Sequence, residues 1–258
     1  MEDSIKILTK EVVEILGDNN CSIYLYGSIT LNDFKAGWSD IDILCITEQS
    51  ISEVQGEQLV NLRQNLLNKF PGNDYFRMFE GGFLSLSTFL GDSKDKVVYW
   101  GTSGQRITEN YVFDVFSTME LKDSGILLHG KEIRELIKYP SKDEQIEAVQ
   151  NHYNIIRKYA QKTDSSLYSA GWLLDIARCI YTLRTGKIIS KTDAGEWALS
   201  NELVPDKLVM EKAIEIRKNP NDYKNDNDTK AWLEDLGPYV QKFADVLEKE
   251  LGSIDRVI

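Results

Sequence analysis

The sequence predicts an α+β domain followed by an all-α helical bundle. Two apolar runs, Ile23–Tyr26 and Ile41–Ile46, have the length and composition of β-strands and lie between helical patterns. After a polar stretch at residues 138–143, the apolar residues recur with the period of a helix. We therefore expect a first domain at residues 1–140 and a helical domain at residues 141–258.

The first domain is predicted to begin with a helix at residues 4–16, with Ser4 as a possible N-cap and Gly17 as its end. After the two strands, residues 52–70 predict a second helix capped by Ser52. The side chains of this second helix that we expect to face the core are Val54, Leu59, Leu62, Leu66, Leu67 and Phe70.

The rest of the first domain is expected to complete the sheet. Residues 75–90 predict one long extended segment, interrupted or bulged at Gly81–Gly82. The stretch Trp100–Gly104 resembles a loop, and its tryptophan is either a stacking residue at a binding cleft or a rim or core residue. A helix at residues 111–123 and a short last strand at Ile126–Gly130 follow.

The helical domain has clear start and stop signals. Gly186 is predicted to end one helix and Thr192 to cap the next, short one. Residues 219–228 are strongly polar and predict a loop. The longer helices are expected at residues 143–162, 165–184, 206–218 and 238–251.

The composition is that of an ordinary globular protein, with 42% hydrophobic and 28% charged residues. No apolar run reaches the roughly 20 residues that span a membrane, and the acidic N-terminus lacks the pattern of a signal peptide. Cys21, Cys45 and Cys179 have no metal-ligand spacing, so we expect reduced, mostly buried thiols. These features favour a cytoplasmic protein without a membrane partner.

The net charge of −11 argues against a nucleic-acid partner, because the phosphates of a long nucleic acid require a basic surface. The same charge suits a small polycationic substrate, which the field of the protein would attract. Acidity that serves only solubility is the alternative.

The strongest chemical signal lies between the two strands. Gly27-Ser28 opens the connecting loop, and Ser39-Asp40-Ile41-Asp42 closes it. Because side chains alternate along a strand, Asp40 and Asp42 are expected to share one face. Two adjacent carboxylates repel each other unless a cation lies between them, and Mg²⁺ is the natural oxygen-liganded ion. The alternative is a surface turn with two solvated aspartates.

This stretch resembles the Gly-Ser…Asp-x-Asp signature of the nucleotidyltransferase superfamily shared with DNA polymerase β. The resemblance implies a mixed sheet flanked by helices. It also implies that Gly27, Ser28 and Ser39 bind the triphosphate of a nucleotide, while Asp40 and Asp42 hold two Mg²⁺ ions.

The chain resembles most closely the aminoglycoside adenylyltransferases, which modify streptomycin at its 3″ hydroxyl and spectinomycin at its 9 hydroxyl. Arg77-Met78-Phe79-Glu80 matches the Arg-x-x-Glu context in which that family carries its catalytic base, so Glu80 is the implied base and third metal ligand. The chain departs from the family at Gly81–Gly82, where β-branched residues are usual.

The block Thr185–Ala198, with Thr-Gly-Lys-Ile before a lysine and an Ala…Trp-Ala helix, resembles the C-terminal domain of the same family. The resemblance implies that Arg178 and Lys191 contact the nucleotide phosphates and that Tyr223 also touches the nucleotide. From the residues alone, Arg178 is equally explained by an ion pair with Asp175, three positions earlier in its helix.

The implied function is transfer of AMP from ATP to a hydroxyl of a small cationic antibiotic, by a protein expected to be a monomer. Tyr168 and Gly171 stand where streptomycin-accepting members carry an Asp and a His, so we expect spectinomycin rather than streptomycin as acceptor. The alternatives are another hydroxylated acceptor, such as a lincosamide, or a non-catalytic nucleotide-binding protein of the same fold.

Overall fold

The structure is a computed structural model that describes residues 1–101 and 104–254. The chain forms two compact units. The first, which we call the sheet unit, contains residues 1–30 and 40–139. The second, the helical unit, contains the short segment Leu31–Ser39 together with the chain from Pro140 onward. The predicted boundary at residue 140 had placed residues 31–39 in the first domain.

Within the described residues, the sheet unit contains one sheet of six strands. The strands are β1 (Cys21–Tyr26), β2 (Ile41–Thr47), β3 (Phe79–Ser85), β4 (Val97–Gly101), β5 (Gly104–Thr108) and β6 (Ile126–His129). Their order across the sheet is β5-β4-β3-β2-β1-β6. The pair β2–β3 is parallel and the other neighbouring pairs are antiparallel, so the sheet is mixed.

The helices of the sheet unit are α1 (Glu2–Leu16), α2 (Glu53–Lys69), α3 (Leu86–Phe89) and α4 (Val115–Ser124). Ser52 caps α2 through a capping box with Gln55, as its sequence predicts. The prediction that Ser4 caps α1 is wrong, because this helix begins at Glu2 and Ser4 is buried inside it, bonded to Asn73. Val54, predicted to face the core, is 66% exposed in the first turn of α2.

Trp100 is a core residue and not a stacking residue at a binding site. Its side chain is fully buried under α2, where the indole N–H donates to the carbonyl of Leu59 at 3.0 Å. The predicted loop at Trp100–Gly104 is wrong for three of its residues, since Trp100 and Gly101 belong to β4 and Gly104 to β5. Thr102 and Ser103 lie outside the described residues.

The single extended segment predicted at residues 75–90 is also wrong at both ends. Asp74–Arg77 forms a 3₁₀-helix, and the chain turns into α3 directly after Ser85. Between them β3 continues through both glycines without a bulge, because Gly81 pairs with Ile43 and Gly82 with the next residue of β2. Gly81 has a φ of +147°, and a Cβ there would overlap the carbonyl of Ile43.

The helical unit is built around a buried central helix, α6. Its helices are α5 (Lys142–Tyr159), α6 (Tyr168–Thr185), α7 (Lys191–Ser200), α8 (Lys207–Lys218), α9 (Pro220–Tyr223), α10 (Asn227–Glu234) and α11 (Gly237–Ile254). Gly186 ends α6 in the left-handed conformation, with φ 69°, as predicted. The cap of α7 is Ser190 and not Thr192. Residues 219–228 are not a loop, because α9 and the start of α10 occupy them.

A mixed sheet flanked by helices, followed by a helical bundle, confirms the predicted fold class. Cys21, Cys45 and Cys179 are buried and free, as expected. Within residues 1–101 and 104–254, every helix is too short or too polar to cross a bilayer.

Candidate active site

Two of the predicted carboxylates lie side by side at the starts of β2 and β3. Asp42 is the direct register partner of Glu80 on the parallel neighbour and of Tyr26 on the antiparallel one. Paired residues of neighbouring strands point to the same face, so the two carboxylates share a face. Asp40 precedes β2, and the N–H of Ile41 donates to the carbonyl of Met78 at 2.7 Å, which fixes the start of β2 beside β3.

Gly27 brings the backbone of the first loop against the Asp42 side chain. Its φ is +72°, and a Cβ at this position would lie 3.0 Å from Asp42 Cγ and overlap the carboxylate itself. The hydroxyl of Ser28 lies 3.5 Å from the carbonyl oxygen of Asp40. The structure therefore gathers Gly27, Ser28 and the aspartates in one part of the sheet unit, as the sequence predicts.

Arg63 of α2 was not anticipated. Its guanidinium donates to the carbonyls of Phe79 at 2.9 Å and Gly101 at 3.3 Å, where the β3–β4 ladder has ended. Burial lowers the pKa of Arg63, whereas the charges of Glu80 and Asp40 raise it, so the guanidinium interacts with both acids. The only signal for it in the sequence is an arginine beside the apolar stripe of α2.

Three tyrosines surround the acidic pair. Burial and the charge of Asp42 raise the pKa of Tyr26 well above its usual value. Burial raises the pKa of Tyr99, and the charges of Glu80 and Asp40 add to this shift. Burial likewise raises the pKa of Tyr111, whose ring centroid lies 5.6 Å from that of Tyr99. These hydroxyls therefore stay protonated at neutral pH and can donate hydrogen bonds.

The paired oxygen donors of Asp42 and Glu80 suit a hard divalent cation, and Gly27 places backbone and no side chain of its own against the Asp42 carboxylate. Among the residues that the structure describes, however, no group of three or more His, Cys, Asp or Glu side chains is arranged to hold a metal ion. The three-carboxylate Mg²⁺ site that includes Asp40 therefore stays a prediction.

The two basic residues predicted to bind phosphate meet at one carboxylate in the helical unit. Lys191 Nζ lies 3.0 Å from Asp175 Oδ1, and Arg178 Nη2 lies 3.4 Å from the same oxygen. Burial acts to raise the pKa of Asp175, but the charges of Lys191, Arg178 and His152 outweigh it and the pKa is lowered. The result is a half-buried cluster in which two cationic side chains converge on one carboxylate.

Ser39 and Tyr223 also belong to the helical unit, but their described hydrogen bonds go elsewhere. The hydroxyl of Ser39 accepts from the backbone N–H of Lys35 at 3.0 Å. The phenol of Tyr223 donates to Glu215, and this bond raises the pKa of the tyrosine. Neither of these two hydrogen bonds involves a residue of the Asp175 cluster.

A cavity of about 440 Å³ opens beside this cluster within the helical unit. Tyr168 and Gly171, the positions that the sequence analysis connected with the acceptor, line it together with Asp175 and Lys191. Tyr168 is fixed there because its hydroxyl donates to the carbonyl of Trp38 at 3.0 Å.

Comparison with known proteins adds two family matches. Residues 135–248 match the C-terminal domain of the aminoglycoside adenylyltransferases, and residues 5–75 match the nucleotidyltransferase domain. The C-terminal part of the chain belongs to the aminoglycoside adenylyltransferase family. The two matches confirm the resemblance drawn from the motifs, and the protein is a nucleotidyltransferase of the aminoglycoside adenylyltransferase type.

Among solved structures, the protein is similar to the spectinomycin adenyltransferase of Enterococcus faecialis, solved with ATP and spectinomycin. The two share 15% identity with a TM-score of 0.67, over 96% of this chain and 99% of the other. At this identity the likeness shows a common fold. No curated protein matches the sequence.

Proposed function

We propose that the protein transfers AMP from ATP to a hydroxyl of an aminoglycoside-type antibiotic, with spectinomycin favoured over streptomycin, and releases pyrophosphate. The observation that most supports this is the register pairing of Asp42 with Glu80 beside the Gly27 backbone. An acidic pair on adjacent strands next to a tight glycine turn combines a proton acceptor with a place for the phosphates of a nucleotide.

In the proposed reaction, Glu80 accepts the proton of the acceptor hydroxyl. The hydroxyl oxygen forms a bond to the α-phosphorus, and the bond from that phosphorus to pyrophosphate breaks. Bound Mg²⁺, held by Asp42 and its neighbouring acids, would neutralise the charge of the triphosphate. A carboxylate with a pKa near 4 is a weak base for a sugar hydroxyl, so alignment must supply much of the rate.

We propose that basic side chains of the helical unit neutralise the remaining negative charge of the triphosphate. Lys191 and Arg178 converge on Asp175, so the two cationic side chains are held close together, where both can contact a phosphate. Gly27, Ser28 and Ser39 are proposed to offer backbone and hydroxyl donors to the same nucleotide. Tyr223 would join them only after giving up its bond to Glu215.

Two observations favour spectinomycin as the acceptor. The structurally similar adenyltransferase was solved with spectinomycin and ATP. In addition, Tyr168 and Gly171 line the cavity beside Lys191, and neither can supply the charged contacts expected for streptomycin. The net charge of −11 suits either cationic drug and does not discriminate between them.

The test measures pyrophosphate release from ATP and Mg²⁺ with spectinomycin, streptomycin and a lincosamide in parallel. We expect turnover with spectinomycin, and its loss in the variant Glu80→Gln, whereas the control Glu132→Gln, just after the edge strand β6, should retain it. Equal turnover of streptomycin would contradict the acceptor preference. Turnover only with a lincosamide would reassign the substrate, and ATP binding without any turnover would support the non-catalytic alternative.

A further inference from the structure

We propose that Asp33 is a positioning residue for the nucleotide site, because its carboxylate holds both the N-terminus of the helix that begins with Lys191 and the segment that ends at Ser39. This inference rests on the proposed function. Asp33 touches no reacting atom in the proposed reaction and acts only through the residues that it fixes.

Asp33 is one of the most deeply buried carboxylates in the described part of the chain. It is 3% exposed, as is its partner Arg217 on α8. Arg217 Nη2 lies 3.2 Å from Asp33 Oδ2 and also donates to the backbone carbonyl of Asp33 at 3.1 Å. A buried ion pair with additional hydrogen bonds has well-defined geometry, because moving either partner leaves a charge without compensation in the interior.

The same carboxylate binds the start of α7. Thr192 donates to Asp33 through its hydroxyl at 2.7 Å and through its backbone N–H at 3.3 Å. A negative charge at a helix N-terminus is favourable, and here the carboxylate accepts from the Thr192 backbone N–H, which has no acceptor within the helix. Thr192 directly follows Lys191, so the position of the lysine backbone depends on Asp33.

The segment 31–39 is held to the helical unit by further bonds along its length. Asn221 donates to the carbonyl of Ala36 at 3.0 Å, and Tyr168 donates to the carbonyl of Trp38 at 3.0 Å. The Trp38 ring packs against Arg217, with the guanidinium carbon 5.1 Å from the ring centroid. This segment leads through Ser39 directly into Asp40, the first of the two predicted metal-binding aspartates.

One buried side chain therefore connects two parts of the proposed nucleotide site that are about 150 residues apart in the chain, Ser39 and Lys191. If both bind phosphate, loss of the Asp33 contacts should weaken ATP binding even though neither phosphate-binding residue is altered. A residue that only stabilises the fold would lower the melting temperature and leave ATP affinity unchanged.

The helical unit supplies a matched control. Asp226 caps α10 by accepting from the N–H of Thr229 at 2.8 Å and from its hydroxyl at 2.6 Å, so it repeats the geometry of Asp33 with Thr192. Thr229 itself has no part in the proposed nucleotide site, whereas the exposed Asp226 lies beside Tyr223 and is left unchanged. Thr192 and Thr229 are both buried and both donate to a carboxylate, so their substitution by valine should have similar effects on folding and different effects on ATP.

The experiment compares Thr192→Val and Asp33→Asn with the controls Thr229→Val and Thr229→Ser in the full chain. We expect the KM and the Kd for ATP to rise about tenfold in the first two variants, the scale of one lost buried hydrogen bond to a charged group, and to stay within twofold in the controls. Thr192→Ser should restore ATP affinity. Thr192→Val is nearly isosteric and keeps the measurement possible if Asp33→Asn does not fold.

The outcomes separate this inference from the proposed function. Wild-type protein that binds ATP, together with a Thr192→Val variant that binds it equally well, would overturn the role of Asp33 alone. Control variants that weaken ATP binding as much as the Asp33 and Thr192 variants do would overturn that role as well. Wild-type protein that does not bind ATP would overturn the proposed function and this inference with it.

Discussion

The variant Gly27→Ala tests whether the loop backbone must approach the Asp42 carboxylate for turnover. The new methyl group would lie 3.0 Å from Asp42 Cγ and would overlap a carboxylate oxygen. Because the obstacle is the end of a side chain, Asp42 can turn away from it at modest cost. The carboxylate would then leave the position beside Glu80 that the strand register gives it.

Two contributions to the result can be estimated separately. An alanine with φ near +72° costs about 1–2 kcal/mol of folding free energy, because its Cβ crowds the following carbonyl. This cost corresponds to a fall in melting temperature of roughly 2–8 °C. The displaced carboxylate adds a cost in rate. A misplacement of about 1 Å near the reacting atoms lowers turnover by about 100-fold.

Gly17→Ala is the matched control, because Gly17 also has a positive φ of 54° and a Cβ there would meet no atom within 4 Å. We expect both variants to lose a similar few degrees in a thermal melt. Pyrophosphate release with ATP and spectinomycin should fall about 100-fold in Gly27→Ala and stay within about twofold in Gly17→Ala. Equal activity of the two variants would refute the reasoning, because the shared backbone strain would then explain everything.

Two further predictions concern charged residues of the sheet unit. Arg63→Gln should lower pyrophosphate release about tenfold, because the carbonyl of Phe79, next to Glu80, loses the guanidinium that donates to it. The control Arg134→Gln removes another arginine that donates to a backbone carbonyl and should lower only the thermal stability. Equal losses of activity in the two variants would contradict this prediction. The hydrogen bond from Arg134 lowers the pKa of Glu132 from 4.5 to about 2, against the opposing effect of burial. Glu132 should therefore stabilise the fold above pH 4.5 and lose that contribution as the pH falls toward 2. In a plot of the unfolding free energy against pH, Glu132→Gln should accordingly show a weaker fall on the acid side than the wild type.

Features determined by neighbouring residues could be predicted from the sequence. The Ser52 cap of α2 and the glycine end of α6 follow from residues within one turn of each helix end, and both were predicted correctly. The Asp-x-Asp pair at the mouth of a strand depends only on side-chain alternation. The predicted cap at Ser4 failed because the helix starts earlier and the hydroxyl has a partner, Asn73, that is distant in sequence.

Features that depend on distant partners could not be predicted. From the sequence alone, Trp100 could be either a stacking residue of a binding site or a residue of the core. The packing of α2 over β4 shows that it belongs to the core. Arg63 carries no signature that distinguishes it from a solvated helix residue. Likewise, segment 31–39 resembles an ordinary loop between two strands, because its partners Thr192 and Arg217 lie more than 150 residues further along the chain.

The glycines after Glu80 stand where the family resemblance predicts branched residues, and the pairing of Glu80 with Asp42 is present all the same. A β-branched residue in place of Gly82 would collide with the Tyr111 ring, which would lie about 2.5–2.7 Å from its Cβ. Gly82 is two residues from Glu80 and therefore lies on the same face of the sheet, so Tyr111 fills the volume that the missing side chain leaves beside the acids. Gly81 meanwhile allows the close approach to Ile43 that keeps β3 in register with β2. The strand register alone therefore places Glu80 opposite Asp42, and it does so without branched side chains at the two glycine positions.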